Sequence, residues 1–349
     1  VSAAGSTVGY AYVNATVNSF AGCVFFHPFW ENISKGLSVQ DAYEAACNFI
    51  PTDYTTEYTV RELQDPWLLQ APATELSSEV HMNTISNSDY GINAYFADLM
   101  ISGNTLTSIG YSIYGEYGGG TISNNVFQSI AAPYWTSRGI GFFEPIKPLD
   151  IYHNEINIRA EWRAAGVMIE KAHGEIAVYD NTINVTETYG GDSMAMGVWC
   201  RRAPSISILN NTIRAIGGEG PYPEMSGGDA YAVYLNDAFC NINLNTIYAR
   251  GGDGTINIRK LAPGGRAIGA YLRDVFGNVS MNTIDVQSGN GGPGWDSPIG
   301  KGGCGGLNSY SIATGLYGLY FSGTVVGNNI NVIGGDGGSG GDGAPSERG

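Results

Sequence analysis

The chain has 349 residues, with 17 Lys+Arg against 32 Asp+Glu, a formal charge of −15, and 14% charged residues in all. The acidic balance without a Lys/Arg cluster argues against nucleic acid as a partner, and no apolar run approaches the roughly 18–20 residues that span a bilayer as a helix. With 43% hydrophobic residues the chain is too apolar to stay unfolded, and its 51 Gly and 22 Tyr favour strands and tight turns over helices.

Residues 1–73 form an N-terminal segment of their own character. In FAGCVFFHPFWENISKGLSVQDAYEAACNF (20–49) an apolar, strand-like run is followed by Ser38 as N-cap, with Asp41 three residues on, and then by an Ala-rich helix through about Asn48. The stretch GLSVQDAYEAA resembles the closing strand and helix of gingipain- or caspase-like cysteine peptidase domains. The part of that fold bearing a His–Cys pair is missing, so the resemblance implies no peptidase activity. The plainer expectation is a small α/β cap on whatever follows. Cys23 and Cys47 fall on its strand and helix and are candidates for a disulfide. Beginning at Val1 rather than Met, the chain reads as processed or trimmed.

From residue 74 to 335 one phrase recurs: an Asn followed two residues later by an aliphatic. It is anchored at Asn83, Asn104, Asn124, Asn154, Asn181, Asn211, Asn245, Asn282 and Asn328, with spacings of 21, 20, 30, 27, 30, 34, 37 and 46. The lower bound is near one turn of a parallel β-solenoid, and the longer turns are what insertions produce. Glycine runs start six residues after Asn211, Asn245 and Asn328, at Gly217, Gly251 and Gly334, and seven after Asn282, at Gly289. The insertions therefore leave from one corner, where glycines are expected to release a loop.

Each anchor follows a strand-like segment, as in GVWCRRAPSISILNNTI, AVYLNDAFCNINLNTI and GAYLRDVFGNVSMNTI. Alternation through Ser205–Leu209 and Asn241–Leu244 has the period of two of a strand with one buried face. Stacking equivalent strands about 4.8 Å apart predicts one interior row from Ile183, Ile213, Ile247 and Ile284. It also predicts a ladder of Asn side chains at a corner where Asn adopts the left-handed conformation. These repeats resemble the right-handed parallel β-helix family, which includes pectate-lyase-like enzymes and surface or sheath-type proteins of methanogenic archaea. The resemblance implies an all-β parallel β-helix with Gly-rich insertions, followed by a Gly-rich acidic tail at 336–349. Fold alone assigns no activity.

Chemistry is sparse. Lys171, Arg201, Arg202, Asp237, Arg273 and Asp274 fall at similar offsets before their anchors and are expected to line one face over four turns. A polysaccharide lyase could use Arg or Lys there as base, but stacked opposite charges read first as a solvated ion-pair ladder. Asp253, Asp336 and Asp342 lie in glycine runs like those that bind calcium, without the regular spacing such sites need, so no cofactor is expected beyond a possible calcium. The four histidines have no metal-ligand spacing. Asn14, Asn32, Asn184, Asn210 and Asn278 begin glycosylation sequons. Cys304 lies in a glycine-rich insertion and makes the cysteine count odd, which in an exported protein points to pairing between chains.

Two functions follow as expectations. The first is an extracellular, cell-surface structural protein, a homopolymer-forming subunit of a sheath, filament or surface layer. In it Cys304 and the last strand, Asn328, Asn329, Ile330, Asn331, Val332 and Ile333, contact a neighbouring copy because nothing after them reads as a cap. The second is a carbohydrate-active enzyme, a pectate-lyase-like polysaccharide lyase or hydrolase, with a polysaccharide as partner.

Overall fold

The computed structural model describes residues 31–38, 41, 42, 45, 77–86, 89–108, 110–130, 136–191, 193–219, 225–255, 263–292 and 311–336. By its contacts the chain divides into two compact units, Val1–Glu75 and Leu76–Gly349. In the first, residues 31–34 form a helical turn and residues 41, 42 and 45 are helical. Ser38 caps the latter: its Oγ accepts the Asp41 N–H at 3.1 Å and donates to the Asp41 carboxylate at 2.6 Å. The apolar strand expected around Cys23, and the Cys23 and Cys47 thiols, lie outside the described residues.

The second unit is nearly all β. Its strands are β1 (Ser77–His81), β2 (Thr84–Ser86), β3 (Tyr90–Tyr95), β4 (Asp98–Ser102), β5 (Thr105–Ser108), β6 (Tyr111–Glu116), β7 (Gly119–Ser123), β8 (Val126–Ile130), β9 (Thr136–Phe143), β10 (Leu149–Tyr152), β11 (Glu155–Ala160) and β12 (Arg163–Glu170). There follow β13 (Ile176–Tyr179), β14 (Thr182–Glu187), β15 (Met194–Leu209), β16 (Thr212–Ile216), β17 (Asp229–Asn243), β18 (Thr246–Arg250), β19 (Ala267–Ser280), β20 (Thr283–Gln287), β21 (Ala313–Leu319), β22 (Ser322–Val326) and β23 (Asn329–Ile333). They form two long sheets of 14 and 9 strands in which the recorded pairings are parallel. The sheets curl around a shared core.

The nine-strand sheet shows why the Thr-Ile phrase repeats. In β16, β18 and β20 the burial alternates, Thr outward and Ile inward, and the parallel register places Ile156, Ile183, Ile213, Ile247 and Ile284 one above another, all fully buried. Against this row lies a column of small residues in the other sheet. A Cβ added at Gly139, Gly166, Gly197 or Gly269 would meet the Cγ2 of Ile156, Ile183, Ile213 or Ile284 within the 3.0 Å that real Cβ atoms essentially never show.

The Asn ladder joins the turns. The side-chain oxygen of each Asn accepts both the backbone N–H and the side-chain amide of the Asn one turn earlier, from Asn83 through Asn104, Asn125, Asn154, Asn181, Asn211, Asn245 and Asn282 to Asn328. The expected anchor Asn124 is corrected here: Asn125 is the rung, and Asn124 is the exposed residue before it. Asn124 has φ 55°, as do its equivalents Met82, His153, Asp180, Asn210, Leu244 and Met281, within 3°. The left-handed turn and the ladder are thus the work of adjacent residues. The left-handed residue turns the chain so that the next side chain points inward. Among the described residues none of the left-handed non-glycine residues is β-branched, in keeping with the cost of that conformation to Val, Ile and Thr.

Contrary to the expectation that the glycines release a loop, the glycine runs do not open directly into loops. Gly218, Gly228, Gly252, Gly265 and Gly289 are buried and bonded in series, each N–H donating to the carbonyl of the one before at 2.7–3.0 Å. Segments leaving one turn alternate with segments entering the next, so closely that a Cβ on any of them would strike a neighbour. Glu187 anchors this layer. Its buried carboxylate accepts N–H donation from Tyr189, from Gly190 at 3.0 Å and from Gly218 at 2.7 Å.

Candidate functional site

The parallel register that stacks the core also stacks the outward side chains of β9, β12, β15, β17 and β19. One outward column runs Met168, Trp199, Tyr234, Tyr271, Tyr317. Its rings lie face to face, Tyr234 on Tyr271 at 4.7 Å and 8°, Tyr271 on Tyr317 at 5.1 Å and 10°, with Trp199 6.3 Å from Tyr234. The next outward column runs Glu170, Arg201, Asn236, Arg273. Between these columns and the edge bearing Arg163, Tyr231 and Arg266 lies an open groove of about 500 Å³.

Charge in the groove is lopsided. Arg138, Arg163, Arg201 and Arg266 line it, and among the described lining residues Glu170 is the one carboxylate, 3.9 Å from Arg201. Arg138 sits over the Tyr111 ring at 4.7 Å and donates to its hydroxyl. Burial lowers its pKa, but an arginine stays charged at neutral pH. Arg266 is aimed by Asp229, whose carboxylate accepts its backbone N–H at 2.8 Å and its Nε at 3.1 Å. Burial raises the Asp229 pKa against the opposing pull of Arg266, and burial above all pushes the Tyr231 hydroxyl up to about 12, so it remains a donor. The arrangement offers cationic forks and hydroxyl donors to an anion. Among the described lining residues it does not offer the two carboxylates that most glycoside hydrolases use.

The six charged residues expected to share one face belong to two rows. Arg201 and Arg273 are in the outward column beside the groove, and only Arg201 lines it. Lys171, Arg202, Asp237 and Asp274 occupy a second left-handed corner row, with φ from 52° to 58°. There Lys171 pairs with Glu144 at 2.9 Å, and Arg273 pairs with Asp274 at 3.5 Å. Sequence reasoning missed Arg138, Arg163, Arg266, Trp199 and the tyrosines. The signal was in GVMIEK, GVWCRR, AVYLND and GAYLRD, whose alignment puts Met, Trp, Tyr and Tyr in one outward column.

The remaining candidates are placed as follows. Asp253 bonds within the glycine layer, to the Asn290 N–H at 2.8 Å and Arg250 at 3.3 Å, and the Asp336 N–H bonds Asn290. Among the described residues no three His, Cys, Asp or Glu side chains gather as a metal site. Of the sequons, Asn184 donates to Asn157 and Asn210 to Asp180, Asn278 is exposed on β19, and Asn32 lies in the first unit's helical turn. Cys200 and Cys240 are buried free thiols pushed up to about 12 by burial. Asn14, Cys304 and Asp342 lie outside the described residues. Among the described residues no helix is long and apolar enough to cross a membrane.

The fold and groove define a class only: a chain of long, curled, all-parallel sheets with a cationic, aromatic outer groove. Comparison of the chain with protein-family models, with curated proteins and with solved structures finds no match.

Proposed function

We propose that residues 74–335 form a parallel β-helix, and that the protein is a self-assembling structural subunit of an extracellular sheath, filament or surface layer. The observation that carries the reading is the state of the last turn. Ile330, Val332 and Val325 continue the rows of Ile284, Val286 and Val279, which are buried, yet they are 41%, 45% and 52% exposed. Among the described residues the core-type rows end together with a parallel edge that bears no further strand, which makes a template for another strand. A second copy extends both the rows and the ladder that stops at Asn328. A polysaccharide-active enzyme is less well supported: among the described lining residues Glu170 is the one carboxylate, against the pair a hydrolase uses, and Arg201, the candidate lyase base, is held beside it in an ion pair.

The test is electron microscopy and sedimentation of the full chain, of a variant lacking residues 328–349, and of Val325→Lys/Val332→Lys, which keeps the ladder. Filaments from the parent and dispersed particles from both variants, with unchanged circular dichroism for the lysine variant, are expected. If the lysine variant polymerises as well as the parent, this edge is not the joint.

A further inference from the structure

The proposed end-to-end contact leaves the long outer groove unused, and its composition is that of a protein interface. Arg, Trp, Tyr and Met are the side chains enriched at the energetic centres of interfaces, because they combine large buried area with directional bonds. Here Met194, Met196 and Trp199 lie among Arg163, Arg201 and Arg266. Ring orientation bears on the partner. Stacked from turn to turn, Tyr234, Tyr271 and Tyr317 spend their faces on one another. They offer edges and hydroxyls outward, a poor platform for the flat face of a sugar and a good set of donors for carboxylates and carbonyls.

Charge selects which protein. Among the described residues four arginines line the groove against one carboxylate, with Asp229 paired to Arg266 beside it, whereas the chain as a whole carries 17 Lys+Arg against 32 Asp+Glu. A neighbour of the same sequence is therefore an acidic body meeting a cationic groove, the complementarity that sets register and speeds encounter. We propose that this groove is the lateral docking surface for a second copy of the chain, engaged by that copy's acidic surface. Side-by-side contact of this kind turns single filaments into sheets. The inference rests on the self-assembly reading above.

The experiment compares the parent with Arg163→Glu/Arg201→Glu and Arg163→Lys/Arg201→Lys, at about 0.05 M and about 1 M salt, where the Debye length falls to about 3 Å. Both positions are exposed, and circular dichroism is the check that each variant folds. The parent is expected to form sheets at low salt that separate into single filaments at high salt. The Glu variant should give single filaments at both, and the Lys variant sheets that need about tenfold more protein. Sheets from the Glu variant, or sheets from the parent that ignore salt, overturn the groove and leave the end contact standing. Single filaments from the parent at low salt do the same, as does groove-dependent capture of alginate without lateral association. Salt-sensitive pairs that persist without residues 328–349, with no filaments from the parent, support the groove and overturn the end contact.

Discussion

Asn125 shows how much one residue decides in a stacked fold. Its oxygen accepts two bonds from Asn104, and its amide donates to the carbonyls of Ile101 and Ser123 and to Asn154. Removing a hub of this kind leaves several buried backbone groups without partners, at about 1–3 kcal/mol each before relaxation. Asn125→Ala is therefore expected to destabilise the chain by about 3 kcal/mol in urea unfolding, whereas Asn124→Ala, at an exposed left-handed position, should cost under about 1 kcal/mol. Equal losses would mean the two side chains share the ladder. Glu187 allows a prediction with pH. Burial raises its pKa above the ordinary 4.5 despite the N–H donors around it. For a raised carboxyl the native state holds the proton more tightly, so its contribution is complete below the unfolded pKa and is lost as pH rises through the folded one. Asp229 is raised in the same sense. Melting temperature should thus fall as pH climbs from about 4.5, and Glu187→Gln should flatten part of that slope, its fixed cost being the amide N–H set against the Gly218 or Gly190 N–H. A slope unchanged in the variant assigns the effect elsewhere.

At the scale of the element, two glycine populations do different work. Gly197 faces a methyl group of Ile213 together with the Ala232 carbonyl, and the same column accommodates a small side chain at Ala232. Gly252 faces backbone carbonyls of the glycine layer, Gly218 among them, and these cannot swing aside as a side chain can. Gly197→Ala should cost about 1–3 kcal/mol by overpacking, and Gly252→Ala more, with loss of the layer. The opposite ranking in thermal melts would show the layer to be the softer packing. The isoleucine row carries a second contrast. Ile247→Ala empties a buried site and should cost about 2–5 kcal/mol, whereas Ile330→Ala, at the exposed end, should leave dilute stability within about 1 kcal/mol and weaken assembly instead.

At the largest scale, within the second unit, ladder, core rows and sheet edges all run along one direction and, among the described residues, end together at β21–β23. A chain that gains partners at its end is stabilised by mass action, so melting temperature should rise with protein concentration in the parent and not in Val325→Lys/Val332→Lys. A concentration-independent melt in the parent would show that folding and association are uncoupled. The buried thiols Cys200 and Cys240 take no part in this expectation, since burial keeps them protonated and enclosed.

The repeat, the alternation of its strands and the identity of the isoleucine row were legible in the chain itself, because a period of two and a recurring Thr-Ile step are local facts about which side chain faces inward. The Ser38 cap was legible for the same reason, its partner being three residues away. The groove was not. It draws on positions from Arg138 to Tyr271, brought into line by a register that steps over insertions, while successive ladder asparagines lie 21 to 46 residues apart. Nor could sequence choose between Asn124 and Asn125, or see that Lys171 and Arg201 fall on different rows. Both outcomes depend on a left-handed residue at each corner, and a single residue there rotates every following side chain to another face. The sequence by itself determined the strands and their buried faces. The way those strands stack, and hence which charges, rings and glycines become neighbours, was decided only in the tertiary structure, where backbone hydrogen bonds between distant segments set the register.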